Sequence, residues 1–251
     1  MIVRIRYYYL QLPTLLKLLI IIGAFMIGFG SLIHFVEPNI FPTVFDGIWW
    51  ALITGSTVGY GDYVPHTLIG RLLTLMLILG GGGAITFYMA TISATTIKAE
   101  QQRNSGLTRF QGKAHLIVIG WNERTRQLVH LLQNQKTQST IVLIDQTLAH
   151  LPANYRYLHF VKGDPTIAKT LSEANAEQAT AAIVTADPGK EERYADQASI
   201  LTVIALRSIN DDISIHTEIL TTEQVDNAKH AGATAIIETN RVLAEMFEKQ
   251  L

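Results

Sequence analysis

The sequence predicts a helical membrane domain of two spans with a short re-entrant helix, followed by an α/β, doubly wound, Rossmann-like domain. Three observations lead to this prediction. Only seven of the 41 Asp, Glu, Lys and Arg residues lie in residues 1–97. Two long apolar stretches lie in the same part of the chain. Beyond residue 113, strand-length apolar runs alternate with helix-like segments, which is the pattern of parallel βαβ units.

The composition excludes several classes of protein. The 251 residues include no cysteine, which excludes a disulfide scaffold, a thiolate zinc site and a cysteine nucleophile. A net charge of -1 argues against nucleic-acid binding, which usually shows a basic face. The common hydrolase and phosphate-loop motifs are absent, and no segment is left to supply a dehydrogenase's substrate lobe. We therefore expect no enzyme.

The first apolar stretch, residues 18–36, predicts a membrane span because it carries no charge. At about 1.5 Å per residue it reaches roughly 28 Å, close to the hydrocarbon thickness of a bilayer. A cleaved signal peptide is the alternative, but its apolar region would be shorter and would end at small residues. This stretch ends in Ile-His-Phe-Val-Glu-Pro, which favours the span.

The second apolar stretch, residues 68–97, is longer than one straight span requires. We expect this helix to be tilted, bent or continued into the cytoplasm. It contains four adjacent glycines, Gly80, Gly81, Gly82 and Gly83, each costing roughly 1 kcal/mol in a helix relative to alanine. Close packing of helices through small residues and a hinge both explain them, and the two explanations are compatible.

Basic residues predict the orientation of the spans. None lies between Lys17 and Arg71, whereas Arg4, Arg6 and Lys17 precede the first span. Four more follow the second span: Lys98, Arg103, Arg109 and Lys113. The positive-inside rule then places both termini in the cytoplasm and residues 37–66 outside, in a multi-pass protein of the cell (inner) membrane that contacts membrane lipid.

Residues 43–62 combine a short apolar helix with a glycine-rich loop. Residues 43–55 are too few to cross a bilayer, which predicts a re-entrant helix. The loop that follows is Thr57, Val58, Gly59, Tyr60, Gly61 and Asp62. Irregular backbone at membrane depth is tolerated only where it is buried or lines a cavity. Alternating glycines let successive carbonyls point to one axis, and four Thr-Val-Gly-Tyr-Gly loops around that axis replace the water shell of a potassium ion.

These motifs resemble the two-helix pore of prokaryotic potassium channels. The resemblance is carried by residues 14–97 of a pore domain predicted over residues 1–97. Six consecutive filter residues match, in the correct place between two spans. The resemblance implies that four chains form the pore, because one chain supplies one filter strand. It further implies that potassium is coordinated by the carbonyls of four residues and by the Thr57 hydroxyl: Thr57, Val58, Gly59 and Tyr60.

The same resemblance implies that Trp49 and Trp50 support the filter, with Trp50 hydrogen-bonded to Asp62. Interfacial anchoring is the alternative role for this tryptophan pair. Ile53 stands where some relatives carry a glutamate behind the filter. No arginine-rich helix precedes the pore, so steep voltage sensing is not expected.

The cytoplasmic half begins with residues 98–113, which are polar, contain two glycines and predict a linker. The α/β domain is predicted over residues 114–251. Strand-like runs occur at 115–119, 140–144, 157–161, 181–185, 213–219 and 234–237. Helix-like segments occur at 122–134, 166–174, 190–208, 222–231 and 239–250.

The first of these strands leads into a turn where dinucleotide folds carry Gly-x-Gly-x-x-Gly: Gly120, Trp121, Asn122, Glu123 and Arg124. Only the first glycine is present, and Asn122 is predicted to cap the next helix. Asp145 ends the second strand, where an acidic residue would bind a ribose hydroxyl or serve as an ordinary turn residue. Asp164, after the third strand, either lines the same crevice or caps a helix.

Residues 114–251 resemble the N-terminal lobe of RCK domains, also called TrkA-N. The matching motifs are Val-Ile-Gly-Trp-Asn-Glu at 118–123, Gly-Asp-Pro-Thr at 163–166 and Ala-Gly-Ala at 231–233. The resemblance implies a cytosolic gating ring, RCK–RCK pairing and NAD(H) or an adenine nucleotide in the crevice. The sequence ends before the usual C-terminal lobe, which we expect to be missing.

The residues that match the calcium site of calcium-gated relatives are Thr185, Glu218 and Leu220. Calcium prefers six to eight oxygen ligands with several carboxylates, and only Glu218 supplies one here. We therefore expect no calcium site.

Together these observations predict a homotetrameric, potassium-selective channel gated by a cytosolic RCK ring that senses a nucleotide or ion, with its gating hinge at Gly80–Gly83. The alternative is a membrane-anchored nucleotide-sensing or docking module with little conduction. The filter distinguishes the two, because an anchor has no need of one. The gating ligand, the sign of its effect and the number of lobes in the ring stay open.

Overall fold

The computed structural model describes residues 12–134 and 140–251. Arg4 and Arg6, two of the basic residues behind the predicted orientation, lie outside the described residues. The chain forms two compact units, Met1–Lys98 and Ala99–Leu251, and each is described by itself. We call them the helical unit and the α/β unit.

The helical unit contains the two predicted spans and the short helix between them. Its elements are α1 (Thr14–Val36), α2 (Val44–Gly55), α3 (Leu68–Leu77), a wide π-helical turn (Ile78–Gly82) and the first part of α4 (Gly83–Asn104). Two helical stretches, Thr14–Val36 and Leu68–Asn104, are long and apolar enough to span a membrane. The second span is therefore interrupted at the glycine run, by a widened turn.

Helices α1 and α2 pack closely because glycines face each other where they meet. A Cβ atom on Gly47 would overlap the backbone of Gly30, and one on Gly55 would lie 2.8 Å from Cε of Met26. The apolar core of this unit also includes Trp50 and Leu77. Small residues thus bring the re-entrant helix against the first span.

Glu37, directly after α1, fastens the start of the second span. Its carboxylate accepts hydrogen bonds from the His66 amide at 3.0 Å, the Thr67 amide at 2.9 Å and the Thr67 hydroxyl at 2.5 Å. Gly70 leaves room for this carboxylate, since a Cβ atom there would overlap it. The two ends of the segment 37–67 are therefore tied together.

The α/β unit has a six-stranded parallel sheet with the strand order β3-β2-β1-β4-β5-β6. Its strands are β1 (His115–Ile119), β2 (Ile141–Asp145), β3 (His159–Lys162), β4 (Ala179–Val184), β5 (Ser214–Ile219) and β6 (Ala235–Glu238). Its helices are α5 (Glu123–Asn134), α6 (Ala168–Glu173), α7 (Glu192–Ile209), α8 (Val225–His230) and α9 (Thr239–Glu248). This is the predicted doubly wound fold, and the order reverses between β1 and β4, where such sheets open a crevice.

The predicted linker over 98–113 is wrong in its first part. Residues 98–104 continue helix α4, because Lys, Ala, Glu, Gln and Arg are all good helix formers. The segment 105–114, called here the connecting segment, is bound to the α/β unit. Leu107 forms an antiparallel bridge with Val161, and the Phe110 amide donates to the Glu173 carbonyl at 2.8 Å.

Two histidines of the sheet contact the connecting segment, and His159 is hydrogen-bonded to it. Nε2 of the buried His115 donates to the Ala174 carbonyl at 3.0 Å, and Nε2 of His159 donates to the Thr108 carbonyl at 2.9 Å. The Phe110 ring lies between them, 4.6 Å from the His115 ring and 5.1 Å from that of His159. Burial lowers the pKa of both imidazoles and outweighs their hydrogen bonds to carbonyls, so both are neutral at pH 7.

Candidate functional sites

The glycine-rich loop after α2 has a regular backbone alternation. Thr57, Gly59 and Gly61 have φ angles of 63°, 57° and 75°, in the left-handed region, while the residues between them do not. The amides of Val58 and Gly59 both donate to the Ile53 carbonyl, at 3.1 and 3.3 Å. The first part of the loop is therefore bound to the end of α2 through its backbone amides.

The left-handed Thr57 is the unusual member of this loop, because a residue with a Cβ atom adopts that conformation at a cost of about 1–2 kcal/mol. The glycine spacing predicts positions 59 and 61, and no sequence signal predicts position 57. Strain of this kind persists only where the surroundings enforce it.

Trp49 supports the loop from α2. Its Nε1 donates to the Asp62 carboxylate at 2.8 Å, and its ring stacks on Tyr60 at 6.3 Å. The predicted bond from Trp50 to Asp62 is wrong, because the Trp50 ring is buried edge-on against Phe41 at 5.5 Å. Neighbouring residues on a helix point about 100° apart, so the two tryptophans reach different partners, and it is Trp49 that reaches Asp62.

A second support, which the sequence reasoning missed, lies beside the first. The Tyr63 hydroxyl donates to Asp46 at 2.9 Å, and Asp46 also accepts a hydrogen bond from the Thr43 amide at the start of α2. The signal for this contact is the Thr-x-x-Asp capping box that begins the helix. Tyr63 stacks on Phe41 at 5.7 Å as well. The loop is thus held to both ends of its helix.

The four glycines of the second span differ in their surroundings. A Cβ atom on Gly80 would lie 2.7 Å from Cζ of Phe25, and one on Gly81 would lie 3.1 Å from Cε of Met26. At Gly82 the nearest such atom is 3.8 Å away, and Gly83 has nothing within 4 Å. The first pair serves close packing, and the second pair is free of it.

In the α/β unit, a cleft of about 670 Å³, counting its open mouth, lies at the carboxyl ends of β1, β2 and β4. Four of the predicted nucleotide-binding residues line it: Gly120, Trp121, Asn122 and Asp145. Three others do not. Glu123 pairs with Arg126, Arg124 pairs with Glu218 at 3.1 Å, and Asp164 accepts a hydrogen bond from the Thr166 amide in its own turn.

The turn after β1 depends on Gly120 and Asn122. Gly120 has a φ of 94°, and a Cβ atom there would lie 2.7 Å from the Thr185 hydroxyl. Asn122 is the predicted helix cap, which is confirmed, because its Oδ1 accepts from the Thr125 amide at 3.1 Å. Its Nδ2 donates to the Thr185 hydroxyl at 2.9 Å. The side chain of Asn122 therefore ties the helix α5 to β4.

Asp145 acts as a turn residue at the edge of the cleft. Its Oδ1 accepts from the Thr147 amide, the Thr147 hydroxyl and the Leu148 amide, at 2.7, 2.8 and 2.7 Å. Its Oδ2 accepts from the Trp121 amide at 2.7 Å. Since Oδ2 accepts a single bond, it keeps capacity for a ligand hydroxyl.

Glu218 is buried and already paired within the protein. It accepts from the Ala186 amide at 2.8 Å and from the Thr239 hydroxyl at 2.7 Å, besides its ion pair with Arg124. Among residues 12–134 and 140–251, no group of three or more His, Cys, Asp or Glu is arranged to hold a metal ion. The Arg124 guanidinium thus supplies the cation that Glu218 faces.

Two families match the two units. The family described as "Ion channel" matches residues 17–98, and the family described as "TrkA-N domain" matches residues 116–239. The putative potassium channel protein YugO of Bacillus subtilis is 39% identical over 236 residues, which cover 94% of this chain and 72% of that protein. The calcium-gated potassium channel TvoK of Thermoplasma volcanium is 27% identical, over 82% of this chain and 60% of its own length.

Solved structures of the GsuK channel have the same fold. The structure bound to NAD has a TM-score of 0.59 at 17% identity and covers 92% of this chain. This chain spans 43% of it. GsuK has also been solved with ADP. At this level of identity the similarity shows the fold alone.

Proposed function

The chain belongs to the potassium channels that join an ion-channel domain to a TrkA-N domain, and on that premise we propose that it forms a homotetrameric potassium-selective channel gated by a nucleotide. The observation that carries the proposal is the alternating backbone of residues 57–61. The amides of residues 57–59 are bound to α2. In the proposed tetramer the carbonyls of the loop face a common axis, where four copies replace the water shell of the ion.

The exposure of the filter supports a tetramer. In one chain, the large apolar side chains of Val58 and Tyr60 are 54% and 68% exposed. Copies of the chain around the filter axis would cover these side chains. The proposed ligands of the ion are the carbonyl oxygens of Thr57, Val58, Gly59 and Tyr60, and the Thr57 hydroxyl completes the innermost site. Gly61 and Asp62 end the filter.

We assign the channel to the cell (inner) membrane with both termini in the cytoplasm. Lys17 and Lys98 flank the two spans on the proposed cytoplasmic side, and the Glu37 carboxylate and the filter lie toward the outside. Large exposed side chains such as Leu79, at 80%, suit contact with lipid.

For gating, the proposed ligand is NAD(H) or an adenine nucleotide in the cleft beside Asp145. Two observations support it: the cleft lies at the switch point of a doubly wound sheet, and GsuK, which shares the fold, has been solved with NAD and ADP. A ligand shifts gating only if it binds two arrangements with different affinity. The connecting segment and the open glycines Gly82 and Gly83 would carry that shift into the second span.

Flux through purified channels in liposomes tests the proposal. We expect liposomes in a bath that contains both ions to take up potassium and to exclude sodium. The rate of potassium uptake should change when NAD or ADP is added on the side of the α/β unit. Flux without discrimination would overturn the filter assignment. No flux under any condition would favour a membrane-anchored sensing or docking module.

A further inference from the structure

The turn between β1 and α5 differs from a phosphate-binding turn in its hydrogen bonds. In dinucleotide folds the pyrophosphate lies on free backbone amides at this helix start, and the second glycine lets the backbone approach it. Here Asn122 occupies the second glycine's place, and its Oδ1 already accepts from the Thr125 amide at 3.1 Å. The Asn122 amide donates to the Thr125 hydroxyl at 2.9 Å, and the Trp121 amide donates to Asp145 at 2.7 Å. These three amides are bound by the protein itself, so the first two amides of α5, those of Glu123 and Arg124, are what this turn leaves for a phosphate.

The charge of the cleft also disfavours phosphate. Its charged lining residues are Asp145, Asp187 and Lys190. The only cation among them, Lys190, lies 3.7 Å from the Asp187 carboxylate. Phosphate sites usually pair the ligand with arginine or lysine, and the lining of this cleft is net negative.

The rest of the cleft suits a nucleoside. Ile119 and Val184 supply apolar surface, and Oδ2 of Asp145 keeps capacity for a hydroxyl donor. Ser199 of α7 is only 3% exposed and lines the cleft, and its hydroxyl makes no hydrogen bond within the described residues. The Ser199 hydroxyl is thus available to a ligand hydroxyl or base nitrogen in the cleft.

We infer that the cleft recognises the adenosine part of its ligand and leaves the phosphates in solvent, and that Asn122 sets this preference. The inference rests on the proposed nucleotide sensing and narrows its ligand class. Adenosine, AMP, ADP and NAD then bind with similar affinity, because the groups in which they differ contact little protein.

Calorimetric titration of the full chain in lipid nanodiscs tests this with adenosine, AMP, ADP and NAD as probes. We expect the four dissociation constants to agree within about threefold. Asn122→Gly frees the Thr125 amide and removes the side chain from the turn. In this variant the ratio of the affinity for ADP to that for adenosine should rise at least about tenfold.

Asn122→Asp keeps an oxygen to cap α5 and adds a negative charge, so it should lower the affinity for ADP relative to that for adenosine. This variant keeps the test decisive if Asn122→Gly fails to fold. Asn227→Gly is the matched control, because Asn227 is exposed on α8 and its side-chain amide donates to Gln224. Its ratio of ADP to adenosine affinity should equal that of the unmodified chain.

Two outcomes would overturn the inference and leave nucleotide sensing intact. One is tenfold or tighter binding of ADP over adenosine by the unmodified chain. The other is an ADP to adenosine ratio that neither Asn122 variant changes. If none of the four probes binds, nucleotide sensing itself is wrong, and the inference is wrong with it.

Discussion

The two units of this chain bury their side chains to very different degrees. In the α/β unit, all five residues of β2 are buried, as are four of the five in β1. In the helical unit, the filter residues Val58 and Tyr60 are more than half exposed, and so is Leu79. A single chain therefore buries the central strands of the α/β unit, whereas it leaves large apolar side chains of the helical unit exposed.

Buried carboxylates show the same contrast. In the α/β unit they bind backbone amides of neighbouring loops, as Asp196 does with Leu220 at 2.8 Å and Thr221 at 2.9 Å. In the helical unit, Glu37 ties the start of the second span to the end of the first. In the α/β unit, the hydrogen bonds of buried carboxylates thus occur in several loops. In the helical unit, the position of each loop depends on a few such bonds.

The largest expected effect tests whether the filter backbone carries the function of the helical unit. Gly59→Ala places a side chain at a φ of 57°, which costs about 1–2 kcal/mol in each of four chains. We expect potassium conductance to fall by more than about 100-fold in channel recordings, with the α/β unit still folded. Gly28→Ala is the control, because it lies in α1 with nothing within 4 Å. Normal potassium selectivity in Gly59→Ala would contradict the proposed filter.

The second prediction tests the dependence of the helical unit on single contacts. Glu37→Ala leaves the His66 and Thr67 amides without their acceptor, so we expect a loss of about 2–3 kcal/mol in the stability of that unit. Thermal dissociation of the proposed tetramer in detergent measures this loss. Glu223→Ala, at an exposed position, should change nothing. A normal melting temperature for Glu37→Ala would show that other contacts hold the segment.

The third prediction concerns pH and the α/β unit. Because burial lowers the pKa of His115 and His159, the unfolded chain binds more protons than the folded one below about pH 6.5. Stability is therefore full above that pH and falls as the pH drops below it, by about 1 kcal/mol between pH 6.5 and 5.5. Trp121 is the one tryptophan of this unit, and its fluorescence during urea unfolding of the full chain follows the change.

His159→Gln keeps a donor for the Thr108 carbonyl without a titrating ring, so it should reduce the pH dependence. The control, His230→Gln, replaces an exposed histidine and should leave it unaltered. Equal slopes in both variants would mean that other groups cause the acid sensitivity.

The smallest expected effect separates the two roles of the glycine run. Gly83→Ala has room for its methyl group and should stabilise the helix by about 1 kcal/mol, which reduces channel opening severalfold if the helix bends there. Gly80→Ala must displace the Phe25 ring and should lower stability instead. Recordings and melting curves of this pair measure both effects. Unchanged opening in Gly83→Ala would count against a hinge at that position.

The sequence predicts the elements of this chain better than the direction of its side chains. β1 was expected at 115–119 and is found there, because an apolar run between a lysine-bearing loop and a glycine leaves little choice. The hydrogen bond to Asp62 was assigned to Trp50 and belongs to Trp49, since the phase of the helix decides which of the two tryptophans reaches the loop. Arg124 likewise follows the glycine turn in sequence but turns away to Glu218, a contact set by the distant strand β5.

The π-helical turn at Ile78–Gly82 has a consequence for length variation. A turn of this kind holds one residue more than an α-helical turn, with the side chains beyond it facing as if that residue were absent. Removal of a single glycine from the run would therefore yield an unbroken helix whose later residues keep their present faces. Insertion of one more would turn those faces by about 100°. A homologue that lacks one residue at this position therefore keeps the helix faces of this chain. A homologue of equal length without the widened turn does not.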